Sequence, residues 1–138
     1  MSWTIDEQVP TLAVRDLESA LAFYQRLGFA LEWQWPKGHP THAGIRRDSA
    51  VLMLMVEAGG ERSQIYFVVR DVLSCFKDIY QHRPWQLEQE GLDRDAPSQG
   101  WGQAPEPPSV KAHGHLDFTL TDPFGNQLTF GCEEVRGS

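Results

Sequence analysis

Val14-Arg15-Asp16-Leu17 and Val69-Arg70-Asp71-Val72 are nearly the same phrase written twice, 55 residues apart. Each copy closes an apolar, strand-like run and opens a helical pattern. After the first, Leu17, Ala20, Leu21, Tyr24 and Leu27 recur at the spacing of one helix face; after the second, Val72, Cys75, Phe76, Ile79 and Tyr80 do the same. Asp16 and Asp71 stand where an N-cap carboxylate accepts the unpaired amide hydrogens of a first helical turn. Gly28 ends the first helix and Pro84 follows the second.

Strand candidates follow each helix: 29–35, 42–47 and 51–57 in the first half, and 85–90, 112–121 and 127–132 in the second. Asp122-Pro123-Phe124-Gly125 reads as a hairpin turn, with Pro and Gly where such turns need them. Its counterpart, Asp48-Ser49, lies 74 residues earlier, so about 19 extra residues belong to the second half. They fall in 92–111, rich in Pro, Gly, Ser and Gln, which reads as an inserted loop or lid. The expectation is an α+β chain of two βαβββ modules, at about 5–60 and 63–134, in a single domain spanning 1–138.

Composition narrows the function classes. The 138 residues carry 12 Lys+Arg against 19 Asp+Glu, a formal charge of −7. Nucleic acid and anionic membrane surfaces need a basic footprint, so neither is expected as a partner. No apolar run approaches a membrane span, and the N-terminal residues lack a basic-then-apolar signal pattern, which suggests a cytoplasmic protein. Cys75 and Cys132 are the only cysteines and form no CxxC pair. Cys75, on an apolar helix face, reads as inert core.

The stretches 10–29 and 118–130, with the repeat between them, resemble the vicinal oxygen chelate superfamily of glyoxalases, extradiol dioxygenases and bleomycin resistance proteins. The resemblance implies that each module curls into half of an open, cup-shaped mixed sheet, with helices outside and ligand on the concave face. Strand alternation then assigns faces. Leu116, Phe118 and Leu120 should meet a helix, leaving His115, Asp117 and Thr119 in the cup. Ile65, Phe67 and Val69 leave Gln64, Tyr66 and Val68 inward, and Leu52, Leu54 and Val56 leave Met53, Met55 and Glu57 inward.

Metal-dependent members of that superfamily resemble one another in placing a His or Glu at four cup-facing positions. Here those positions carry Val9, Met55, Gln64 and Thr129. No divalent cation is therefore expected there, and no cofactor is predicted. The alternative is a glyoxalase-like lyase or isomerase with an off-pattern divalent metal, drawn from Glu57, His42, His113, His115 and Asp117; His39 and His42 also stand three apart. Nucleophile elbow, P-loop and dinucleotide fingerprint are absent from the sequence.

What remains is binding chemistry. Five Trp in 138 residues is heavy use. Trp33 and Trp35 share one strand face, and Trp101 lies in the Pro/Gly-rich insert. Aromatic faces hold flat or cationic ligands at about 0.5–2 kcal/mol each. The pattern looks most like the metal-free bleomycin resistance proteins. That resemblance implies a homodimer sequestering a cationic or aromatic small molecule of antibiotic type. The expected ligand-binding residues are Trp33, Trp35 and Trp101 for stacking and Tyr66, Met53 and Met55 as floor, with His115, Asp117 and Glu57 as polar anchors. A third reading is a scaffold whose cup is filled by its own side chains.

Overall fold

The computed structural model describes residues 2–57, 61–86, 104–112 and 114–133. The first module runs β1 (Thr11–Val14), α1 (Leu17–Arg26), β2 (Ala30–Trp35), β3 (His42–Arg47) and β4 (Ala50–Val56). The second runs β5 (Gln64–Val68), α2 (Val72–His82), β6 (Ser109–Val110), β7 (His115–Thr121) and β8 (Gln127–Glu133). Each module forms one four-stranded mixed sheet, ordered β1-β4-β3-β2 and β5-β8-β7-β6. β1 and β4 pair in parallel, as do β5 and β8; the other pairs are antiparallel. The two βαβββ modules read from the repeat are thus present, with the same strand order twice.

Both helices begin as the carboxylates dictate. Asp16 accepts from the Ser19 amide at 2.9 Å and Asp71 from the Ser74 amide at 3.0 Å. Gly28 leaves α1 with a φ of 89°, a conformation that suits glycine. At the matching exit of α2, Arg83 takes the left-handed conformation at φ 47°.

One core serves both modules. It joins Leu12, Val14, Phe23, Tyr24, Ile45, Leu52 and Leu54 of the first module to Val72, Ile79, Phe118, Leu120, Leu128 and Phe130 of the second. Tyr24 Oη donates to Asp122 Oδ2 at 2.8 Å across the module boundary, and Asn126 Nδ2 donates to the Ala13 carbonyl at 3.0 Å. Each sheet therefore spends its helix-side face on the shared core and keeps the other face outside it.

Two expectations fail in the second module. Trp85 does not begin a strand: Pro84–Gln86 form a 3-10 turn with Trp85 5% exposed, its indole edge-on to Tyr80 at 5.2 Å. Burial of a large indole outweighs the weak strand signal of a Trp-Gln-Leu run. The strand equivalent to β2 is instead β6, Ser109–Val110, at the end of the stretch read as loop. Residues 87–103, which include 92–103 of that stretch, lie outside the described residues. No helix among the described residues is long and apolar enough to cross a membrane.

Candidate functional site

Registers place the outer-face side chains in rows across each sheet. In the first module, Trp33 (β2), Gly44 (β3), Met53 (β4) and Thr11 (β1) form one row. The next row is Trp35, His42, Met55 and Ala13. Between Leu31 and Trp33 the β2–β3 register shifts, which turns both tryptophans to this face, opposite the core residues Ala43 and Ile45. Trp33 is 44% and Trp35 61% exposed.

Gly44 lets the shelf form. A Cβ built there would lie 2.0 Å from Trp33 Nε1, so the indole lies down over a bare backbone. Beside it, the Trp35 ring meets the His42 ring edge-on at 5.7 Å. His42 Nδ1 pairs with Thr41 Oγ1 at 2.8 Å. Arg46, two residues past Gly44 and paired with Ala30 and Val51, is held by Glu7 at 3.1 Å and Glu32 at 3.2 Å; those carboxylates raise its pKa further.

The outer face of the second module is polar. Its rows are Ser109, Asp117, Gly131 and Val68; Thr119, Thr129 and Tyr66; Thr121, Gln127 and Gln64. Thr119 and Thr129 share a hydrogen bond of 2.8 Å, and Gln64 Nε2 donates to Gln127 Oε1 at 3.3 Å. Tyr66 lies over Gly131, where a Cβ would meet its hydroxyl at 2.0 Å, and its ring is 5.9 Å from that of His115. Partial burial, then the nearby Asp117 and Cys132, push the Tyr66 phenol pKa up.

Asp117 is not the free anionic anchor its sequence position suggests. It is 3% exposed, and Lys111 Nζ stands 3.0 Å from its Oδ1 while also donating to Ser109 Oγ at 2.7 Å. Lys111 and Ser109 escaped the sequence reading. The β6–β7 hairpin, in a stretch that reads as loop, is what brings Lys111 back to Asp117. Glu57 lies just past β4, exposed. Trp101 and His113, both singled out from sequence, lie outside the described residues.

The superfamily's metal positions do not fit a hard divalent ion. Val9 offers no lone pair, Met55 offers a soft thioether, and Gln64 and Thr129 are bonded to their cross-strand neighbours. Of the off-pattern candidates, His42 and Glu57 belong to the first module and His115 and Asp117 to the second. Among the described residues no three His, Cys, Asp or Glu side chains gather for a metal.

The tryptophan rows make a shelf, and two clefts among the described residues lie away from it. One of about 480 Å³ sits by Arg26, Arg47, Asp78 and His82. Another of about 320 Å³ runs between 104–107 and β7, touching Lys111 and Asp117.

No curated protein matches the sequence. Solved structures do match in fold. A bleomycin-binding protein from bleomycin-producing Streptomyces verticillus, in complex with copper(II)-bleomycin, superposes with a TM-score of 0.70 at 20% identity, covering 96% of this chain and 100% of that one. The bleomycin resistance determinant encoded on transposon Tn5 gives 0.70 at 18% identity, over 95% and 100% of the two chains. A bleomycin-binding protein complexed with bleomycin gives 0.69 at 20% identity, over 94% and 100%. At these identities the likeness establishes the fold. The profile of the glyoxalase/bleomycin resistance protein/dioxygenase superfamily matches residues 7–130, and the chain belongs to that superfamily.

Proposed function

We propose that the protein is a non-catalytic binder that sequesters a cationic or aromatic small molecule of antibiotic type in the cytoplasm, in a cup completed by a second copy of the chain. One observation carries the reading: the exposed shelf of Trp33 and Trp35, laid beside Met53, Met55 and His42 on a face the core does not use. Both indoles on this one strand keep a large part of their surface open to solvent. They suit a planar ligand, and each stacked or cation–π contact supplies about 0.5–2 kcal/mol.

A shelf alone holds such a ligand weakly, because tight small-molecule sites cover most of the ligand surface. A second chain laid against it would supply the missing wall, drawing Tyr66 and His115 into the groove. Bleomycin-bound relatives of the same fold support a small-molecule ligand. The net charge of −7 favours a positive one. Against the lyase alternative stand the superfamily's own metal positions, which carry neither imidazole nor carboxylate here.

The test is Trp fluorescence titrated with a bleomycin-type glycopeptide and with a planar cationic dye, alongside light scattering. The expected result is saturable quenching and a particle of twice the 15.7 kDa chain mass. Replacing Trp33 and Trp35 with Ala should weaken binding by about ten- to a hundredfold. A monomer whose fluorescence responds to none of these compounds would overturn the proposal.

A further inference from the structure

We propose that the outer face of the first module also carries a site for a soft monovalent cation, Cu(I), held by the thioethers of Met53 and Met55 and the imidazole of His42. The inference goes beyond the organic ligand proposed above and does not depend on it.

The placement comes from the sheet. His42 and Met55 are direct partners across the β3–β4 ladder, and Met53 follows two residues away on the same face. Opposed Cβ atoms in such a pair lie about 4.5–5.5 Å apart, with diagonal neighbours a few ångströms further. Thioether side chains with three rotatable bonds close that distance without backbone movement. All three residues are half-buried, shielded from bulk water and still reachable.

The donor set is selective. Two thioethers and an imidazole suit Cu(I), whereas hard divalent ions want carboxylates and Zn(II) wants thiolate or several imidazoles. His42 is already oriented for the task. His42 Nδ1 pairs with Thr41 Oγ1 at 2.8 Å, and in the tautomer with the proton on Nδ1 this contact fixes the ring and leaves the Nε2 lone pair for a metal. The Trp35 ring stands 5.7 Å from the His42 ring, and Trp33 lies over Gly44, directly opposite Met53. Indole faces beside a cation add attraction and exclude water. The neighbouring Arg46 charge is taken up by Glu7 and Glu32 and so opposes a bound cation little.

The sequence makes the test clean, since Met1, Met53 and Met55 are its only methionines. Protein labelled with 13C at the methionine methyls gives three signals, followed under anaerobic conditions with one equivalent of Cu(I), or of Ag(I) as a redox-silent probe. Two signals should shift together and one should stay, and Zn(II) should move none. Competition against a coloured Cu(I) chelator should show at least tenfold weaker binding in Met53→Leu, Met55→Leu and His42→Gln, with circular dichroism unchanged. Shifts of no methyl signal would overturn the site. So would a Met53→Leu/Met55→Leu variant that still holds one equivalent as tightly, which would assign the metal to Cys75 or Cys132. Quenching by organic cations in metal-free protein is read separately. It is measured with Met53, Met55 and His42 intact and should vanish with Trp33→Ala/Trp35→Ala, so each proposal can fail alone.

Discussion

At the scale of single residues, two glycines decide what the outer faces present. Gly44 admits the Trp33 indole, and Gly131 admits the Tyr66 hydroxyl and the Cβ of Asp117, which a new Cβ would meet at 2.7 Å. The two should answer differently to alanine. Trp33 is half exposed and can swing outward, so Gly44→Ala should change stability by less than about 1 kcal/mol while ligand quenching falls several-fold. Asp117 is buried and paired with Lys111, so Gly131→Ala should destabilise by about 1–3 kcal/mol. Urea denaturation with fluorescence titration checks both. The side of the sheet taken by Met53 and Tyr66 was legible from alternation, whereas that of Trp33 was left open, because the register shift after Leu31 resets the alternation on its strand. The glycine roles were not, because an absent side chain reveals its use only through the residue that lies across it on another strand. The Asp117–Lys111 pair was hidden for a related reason: β6 is two residues long and leaves almost no periodic signal.

At the scale of elements, the turn between β7 and β8 does more than reverse the chain. Asp122 accepts from Tyr24 Oη, Asn126 Nδ2 and the amides of Phe124 and Asn126, each at 2.8 Å, and so fastens α1 of one module to a hairpin of the other. The sequence identified the turn but not this partner, since nothing local announces a phenol 98 residues away. Burial pushes the Asp122 carboxyl above its ordinary range, with the four donors opposing it, and burial pushes the Tyr24 phenol well up. A carboxyl whose pKa is raised by folding favours the folded state most at acid pH. Its contribution is lost as pH rises from about 4 through the raised value. Tyr24→Phe removes one donor to the charged form and should steepen that loss. Its destabilisation, about 1.5–3 kcal/mol at pH 7, should therefore be smaller at pH 4. Equal destabilisation at both pH values in urea titrations would mean that Asp122 does not titrate in the fold. On α2, burial pushes the Cys75 thiol up to about 11. Native protein at pH 8 should accordingly release Cys75 to a thiol reagent far more slowly than unfolded protein does.

At the scale of the whole molecule, the repeat alone was enough to specify two βαβββ modules, though not the order of strands within each sheet. It could not say that both sheets would share one core and turn their other faces outward, because which module packs against which depends on contacts such as Phe29 with Phe67, at 6.2 Å, that no period encodes. That arrangement bears on how charge acts. Three carboxylates near the outer faces are engaged: Asp117 by Lys111, and Glu7 and Glu32 by Arg46. A cationic ligand would therefore feel the net charge of −7 as a long-range field more than as a contact. Fields of this kind act on encounter and are screened within about 10 Å at 0.1 M salt, whereas stacking on Trp33 and Trp35 is nearly indifferent to salt. Stopped-flow quenching by a dicationic dye should show an association rate that falls about tenfold between 10 mM and 500 mM salt, with a dissociation rate almost unchanged. A neutral aromatic analogue should show neither dependence. If the dissociation rate carries the salt effect instead, a carboxylate touches the ligand directly, and exposed Glu57 becomes the residue to replace, as Glu57→Gln.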